Sequence, residues 1–240
     1  MTTAFGRPRH HFRKTDSTNA RARDLAEGGA PSGTVVTADE QTAGRGRRGR
    51  RWSAPPRSAL LCSAILSPLT ERHRLLPLAV PTAVCEAIDR LAPVQARVKW
   101  PNDVWIDEKK AAGVLIEARP PDWAVIGVGL NLSIDPQQLP RELRWPATSV
   151  GHGVTTEAAL NALTEPLARW VDAPASKVLD AFGQRDALRG RSVRWERSGD
   201  GGAGIAAGVD DAGNLLVRER DGEVLALGSG EVQLAIEPQS

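Results

Sequence analysis

The sequence predicts an α+β protein, a mixed β-sheet packed with helices and followed by a small β-barrel. Three observations predict it. Four short β-rich segments crowd the middle of the chain between Gln95 and Leu132, with apolar residues at helical spacing before and after them. From Ser192 onward the helical spacing stops, and short apolar runs alternate with Gly/Asp turns. The 240 residues suffice for one large domain, or one large and one small. The expected division is a larger unit over residues 1–188 and a barrel over 189–240.

Taken in order, Ser17 or Thr18 can cap a short helix through Ala26, which Gly28-Gly29 ends. Thr34 to Thr37 is β-branched throughout and reads as a strand. Ser58 to Leu66 is an apolar run of strand length. Leu75 to Leu91 spaces its apolar residues by three and four, but Pro77 and Pro81 interrupt it and leave a start near Pro81 open. Strands are expected at Gln95–Trp100, Val104–Asp107, Ala111–Ala118 and Trp123–Leu132, with the charged turn Asp107-Glu-Lys109 making a hairpin. Thr155 or Thr156 caps a helix to about Val171, and Pro174 to Leu188 forms another. The closing strands are Ser192–Arg197, Ile205–Val209, Leu215–Glu219, Val224–Leu227 and Val232–Ile236.

Composition excludes several classes. Charged residues at 25% and apolar residues at 41% are ordinary for a globular protein. The most apolar stretch, Leu75 to Ile88, is too short and too broken by prolines to span a bilayer, so no membrane association is expected. The N-terminus has no apolar core for a secretory signal, which points to the cytoplasm. Cys62 and Cys85 sit inside apolar runs and read as reduced core residues. The histidines at 10, 11, 73 and 152 have no neighbours at metal-ligand spacing, so a zinc site is not expected.

The net charge of +2 hides an uneven distribution. Residues 1–57 hold twelve Lys/Arg against five Asp/Glu, and five of those arginines fall between Gly44 and Arg51. Gly44-Arg-Gly-Arg-Arg-Gly49 matches G-x-G-x-x-G, but Arg50-Arg-Trp-Ser-Ala-Pro-Pro56 follows, which cannot open the helix a dinucleotide fold requires. Five mutually repelling guanidiniums on a glycine-rich backbone predict a segment that is mobile until an anion binds. Arginine forks suit carboxylate and phosphate oxygens, and Trp52 behind them offers a face for a base. The plainer reading is a solvated basic loop with non-specific affinity for nucleic acid. Two further clusters are Lys99-Trp-Pro-Asn-Asp103 with Lys110 across the hairpin, and Gly127-Val-Gly129, whose glycines allow close approach to a strand. Singly these read as a turn, an edge charge and tight sheet packing.

Together, Ser17-Thr-Asn19, Gln41-Thr-Ala-Gly-Arg-Gly-Arg-Arg-Gly-Arg50, Lys99-Trp-Pro-Asn-Asp103, Lys110-Ala-Ala-Gly113 and Gly127-Val-Gly-Leu-Asn131 resemble the biotin protein ligases in order and spacing. The resemblance extends over essentially the whole chain. It implies the biotin–lipoate ligase fold, which is like that of class II aminoacyl-tRNA synthetases, and the activity of a biotin–[acetyl-CoA-carboxylase] ligase. ATP and biotin would be substrates, with Mg2+ screening the phosphates, and a biotin carboxyl carrier domain would be the acceptor. Members that double as repressors carry a helix-turn-helix before the ligase; only sixteen residues precede Ser17 here, so the resemblance is to the monofunctional form and DNA binding is not expected. A monomer or weak homodimer is expected.

By the same resemblance, Ser17, Thr18, Asn19, Gln41, Arg45, Gly46, Arg47, Lys110 and Gly113 form the biotin site. Lys110 and Arg47 are the catalytic residues. Arg48, Arg50, Trp52 and Asn131 are on the nucleotide side. The metal ligand stays open: Asp103 either binds magnesium or stabilises its turn. Two rivals remain, a lipoate ligase or octanoyl transferase of similar fold, and a nucleic-acid-binding module. The second leaves Lys110 and the terminal barrel without a role.

Overall fold

The structure is a computed structural model that describes residues 4–135, 146–197, 200–229 and 233–236. Two long strands, β6 (Lys109–Arg119) and β7 (Trp123–Asn131), pair antiparallel and form its spine, with β3 (Ala59–Leu66) along the other side of β7. Four shorter strands complete the sheet: β1 (Arg9–Phe12), β2 (Val35–Ala38), β4 (Arg97–Lys99) and β5 (Asp103–Ile106). The order is β1-β2-β3-β7-β6-β5-β4, with β1 parallel to β2 and every other neighbour antiparallel. The expected mixed sheet is therefore present. The hairpin between β5 and β6 turns on Asp107 and Glu108, both at positive φ, the backbone twist that a two-residue hairpin demands.

Side chains alternate between the two faces of β7. Ala124, Ile126, Val128 and Leu130 enter the larger core with helix α2 (Leu76–Leu91) and helix α3 (Thr156–Val171). Trp123 and Val125 face the opposite way and pack with Val36, Ile65, and Ala22 and Ala26 of helix α1 (Thr18–Glu27). Helix α1 is about 15 Å long, whereas the nine residues of β7 extend about 30 Å. The part of this face carrying Gly127 and Gly129 is not part of that core, and it is where the cleft forms.

Thr155 caps α3, its side chain accepting from Ala158 N–H at 3.1 Å. Helix α4 (Ala175–Arg185) packs against α2 and ends earlier than the expected Leu188. Asp186 leaves the helical region, accepts Leu188 N–H at 2.8 Å on its own carboxylate, and bridges to Val98. Helix α2 runs through Pro81 rather than starting there. Pro77 occupies its first turn, where no intrahelical N–H is required, and Pro81 is buried in the core. Strand β1 has no counterpart in the sequence reading, because Arg-His-His-Phe at a sheet edge carries no apolar alternation.

The C-terminal residues form a separate antiparallel sheet, ordered β11-β10-β9-β8-β12, from β8 (Ser192–Arg197), β9 (Asp200–Val209), β10 (Leu215–Arg218), β11 (Val224–Leu227) and β12 (Gln233–Ile236). Strand β9 starts five residues before the expected Ile205, because Gly201, Gly202 and Gly204 pair with β8 despite their poor strand propensity. The expected start of the last strand at Val232 lies outside the described residues. Trp100 joins the two sheets: its ring is buried and its Nε1–H donates to Gly213 O at 3.1 Å.

Among the described residues, no helix is long and apolar enough to cross a membrane. Both cysteines are free and buried, and burial pushes each thiol up to about 12. At pH 8 neither is a thiolate, so native protein should leave a thiol-reactive disulfide reagent unreduced, whereas denatured protein should titrate two thiols. Rapid reaction of the native protein would contradict the burial.

Candidate active site

The start of α1 forms one wall of the cleft. Asp16 accepts Ser17 N–H at 2.8 Å and the Thr15 hydroxyl at 2.9 Å, and these bonds hold its carboxyl below the usual range. Thr18 donates its N–H to Gln41 Oε1 at 2.7 Å, with its hydroxyl 3.0 Å from the same oxygen. Buried Ser63 on β3 lies 2.8 Å from Thr18 Oγ1 and 2.6 Å from Asn19 Oδ1. Asn19 donates from Nδ2 to Glu117 Oε2 at 2.8 Å and towards Leu115 O at 3.4 Å. The side chains of Thr18, Asn19, Gln41 and Ser63 are neutral and already oriented by these bonds.

The floor is bare backbone. A Cβ at Gly127 would fall 2.0 Å from Asn19 Oδ1, and one at Gly129 would fall 2.5 Å from Trp52 Cε2. Only glycine admits both side chains so close to β7.

The Gly/Arg segment forms the lid side. It has a defined form here: Arg45 and Arg51 make an antiparallel bridge, Trp52 N–H donates to Gly44 O at 3.0 Å, and Gly46 N–H donates to Arg50 O at 2.7 Å. Arg48 and Gly49 at the tip both take left-handed backbone. This narrow hairpin turns Trp52 back onto the sheet. Arg47 reaches the C-terminal sheet and donates from Nη2 to Ser229 O. Burial, followed by the neighbouring Arg48, lowers its pKa, while Asp103 opposes the shift. The guanidinium remains charged across the physiological range.

Lys110 stands at the far end. Its Nζ lies 2.6 Å from Asp103 Oδ1 and 5.6 Å from the centre of the Trp52 ring. Lys110 N–H donates to Pro146 O and its carbonyl accepts from Thr148 N–H, so the residue is clamped on its outer side as well. The walls enclose a cleft of about 210 Å³. Hydrogen-bonding groups without charge line one end and cations the other, an arrangement suited to a ligand with a neutral polar head and an anionic tail.

Residues 11–131 match the profile of the Biotin/lipoate A/B protein ligase family, and residues 190–235 match that of the Biotin protein ligase C terminal domain. The biotin–[acetyl-CoA-carboxylase] ligase of Paracoccus denitrificans is 36% identical over 234 residues, covering 85% of this chain and 92% of that protein. The chain belongs to the biotin/lipoate A/B protein ligase family. The fold agrees: the biotin protein ligase from Aquifex aeolicus in complex with biotin and ATP superposes with a TM-score of 0.82 at 27% identity, over 97% of this chain and 100% of that one. The bifunctional ligase/repressor of Bacillus subtilis is 39% identical over 140 residues, and this chain spans 43% of its length.

Of the site residues that the family resemblance implies, the structure brings together Ser17, Thr18, Asn19 and Gln41 on the first wall. Arg45, Gly46, Arg47, Arg48 and Arg50 lie on the lid, and Trp52, Lys110 and Gly113 at the floor and far end. Asn131 stands apart. It is buried at the end of β7 and does not line the cleft; its Nδ2 donates to Thr148 O at 3.0 Å and Lys110 O at 3.3 Å. Gly127 and Gly129, read from the sequence as allowing close approach to the strand, do line the floor; Ser63 and Glu117, to which the sequence reading gave no role, stand behind Thr18 and Asn19. Position-by-two alternation from Gly113 along β6 marks Glu117, and strand pairing with Gly127 marks Ser63.

Among the described residues no group of three His, Cys, Asp or Glu side chains can hold a metal. The carboxylates at the cleft are each engaged by a cation, Asp103 by Lys110 and Glu117 by Arg45 at 3.8 Å. Gly127→Ala should displace Asn19 and weaken binding of the neutral ligand head by at least about tenfold, read by calorimetric titration with biotin. Unchanged affinity would show that Asn19 does not depend on the bare floor.

Proposed function

We propose that the chain is a biotin–[acetyl-CoA-carboxylase] ligase. It activates biotin with MgATP to biotinyl-5′-AMP and pyrophosphate, then passes biotin to one lysine of a biotin carboxyl carrier domain. The observation that carries this reading is one cleft with neutral hydrogen-bonding residues at one end and Lys110 with the arginine hairpin at the other. Biotin has that polarity, a ureido head and a carboxylate tail.

In the first step a carboxylate oxygen of biotin attacks the α-phosphorus. A C–O–P link forms, the Pα–O bond to the β-phosphate breaks, and pyrophosphate leaves. A carboxylic acid with an ordinary pKa of about 4–5 is already ionised, so no base is required. The obstacle is bringing an anion to a polyanion, and positive charge held in place removes it. Lys110 faces the carboxylate and α-phosphate oxygens; Arg47 closes over the mixed anhydride; Arg48 and Arg50 meet the phosphates. Trp52 separates the biotin floor from the base, and its buried indole N–H has no partner among the described residues. Asn131 acts on the nucleotide side through Lys110, whose carbonyl it holds.

In the second step the carrier lysine attacks the acyl carbon as a free amine, a C–N bond forms, and AMP leaves. That amine must first lose a proton, since its ordinary pKa is about 10.4. Asp103, buried beside Lys110, is the carboxylate at this end of the cleft.

Purified protein incubated with biotin, MgATP and a carrier domain should yield one biotinylated lysine by mass spectrometry. Absence of both biotin transfer and pyrophosphate release would refute the assignment. Lys110→Ala should lower pyrophosphate release on the order of 10²–10³-fold while the protein stays folded; normal release would remove Lys110 from the mechanism. Arg47→Gly should let the adenylate escape, measured as increased biotin labelling of an unrelated protein. Labelling equal to wild type would exclude a retaining role.

A further inference from the structure

Glu117 joins the two halves of the cleft. It follows Gly113 and Leu115 at alternate positions of β6, which places its carboxylate on the cleft side of the sheet. Oε2 accepts from Asn19 Nδ2 at 2.8 Å, and Oε1 lies 3.8 Å from Arg45 Nη1. One carboxylate thus touches the neutral wall and the lid at once.

The contact with Asn19 has a consequence for what the pocket presents. A side-chain amide has two orientations that exchange its donor and its acceptor. An ionised carboxylate only accepts, so it can face only the NH2 end. Leu115 O, also an acceptor, stands on the same side at 3.4 Å. Asn19 is thereby held with Oδ1 towards Ser63 and the bare backbone of Gly127. A ligand lying on that floor meets a carbonyl oxygen and must offer a donor. The Arg45 pair is half exposed and contributes little to stability; its effect is to place the first arginine of the hairpin.

We propose that Glu117 is a positioning residue of the ligase reaction, fixing the orientation of Asn19 and tying it to the Arg45 end of the lid. This rests on the biotin-ligase reading. The residue touches no reacting atom and acts through its two partners.

Two substitutions separate those partners. Glu117→Leu removes both contacts, whereas Glu117→Gln keeps an acceptor for Asn19 and loses the charge opposite Arg45. Glu117→Leu should raise the KM for biotin in pyrophosphate release by on the order of tenfold, with kcat within about twofold. Glu117→Gln should restore most of that KM yet release adenylate faster, seen as greater labelling of an unrelated protein. An active wild type with Glu117→Leu unchanged in KM overturns this inference alone; an inactive wild type overturns the functional reading and the inference with it. If Glu117→Leu does not fold, the Glu117→Gln leak decides, and a leak equal to wild type overturns the coupling.

Discussion

Two side chains reach the backbone of β7 more closely than any Cβ would permit, and the rest of the cleft is arranged around that contact. Asn19 descends from α1 onto Gly127, and the Trp52 indole lies across Gly129 and Gly113. Glycine inside a strand costs about 0.5–1 kcal/mol relative to alanine, and here β7 is paired along its length on both sides, with β3 and with β6. The strand can therefore carry two residues that add nothing to its own stability. What they contribute is a flat floor between a helix N-terminus and an arginine hairpin.

Charge is distributed along this floor rather than spread over it. The wall formed by Thr18, Asn19, Gln41 and Ser63 is neutral and closed on itself by hydrogen bonds. The opposite end holds Lys110 against Asp103, with Arg47 crossing to the C-terminal sheet at Ser229. A ligand with one neutral and one anionic end has a single favourable direction of entry into such a gradient. The positive excess of residues 1–57 is thus concentrated where a small anion would lie, and the C-terminal sheet takes part in holding the arginine that covers it.

Much of the fold was legible because its signals are local. The Gly28 end of α1, the Thr155 cap of α3, the apolar run of β3 and the charged turn before β6 each state their own conformation within a few residues, although Ser17 at the start of α1 makes no side-chain capping bond. Strand β1 was not legible, since an edge strand of Arg and His is stabilised by its pairing with β2 and not by burial. The length of β9 was hidden in the same way, its glycines held by β8. Pro81 in α2 and the early end of α4 at Asp186 depend on neighbours that lie far away in sequence: the buried surroundings of the proline and the bridge to Val98.

By itself the sequence determined which chemistry the cleft can perform, because residue type alone sets charge and hydrogen-bonding capacity: guanidiniums and an ammonium for an anion, amides and hydroxyls for a neutral head. Tertiary structure decided which of these groups meet. Glu117 became part of the site through strand alternation and a helix packed over it, and Asn131 turned away from the cleft to hold the Lys110 carbonyl. Neither placement has a local signature, since each is set by the register between strands and by which side chain finds an acceptor once the sheet has formed.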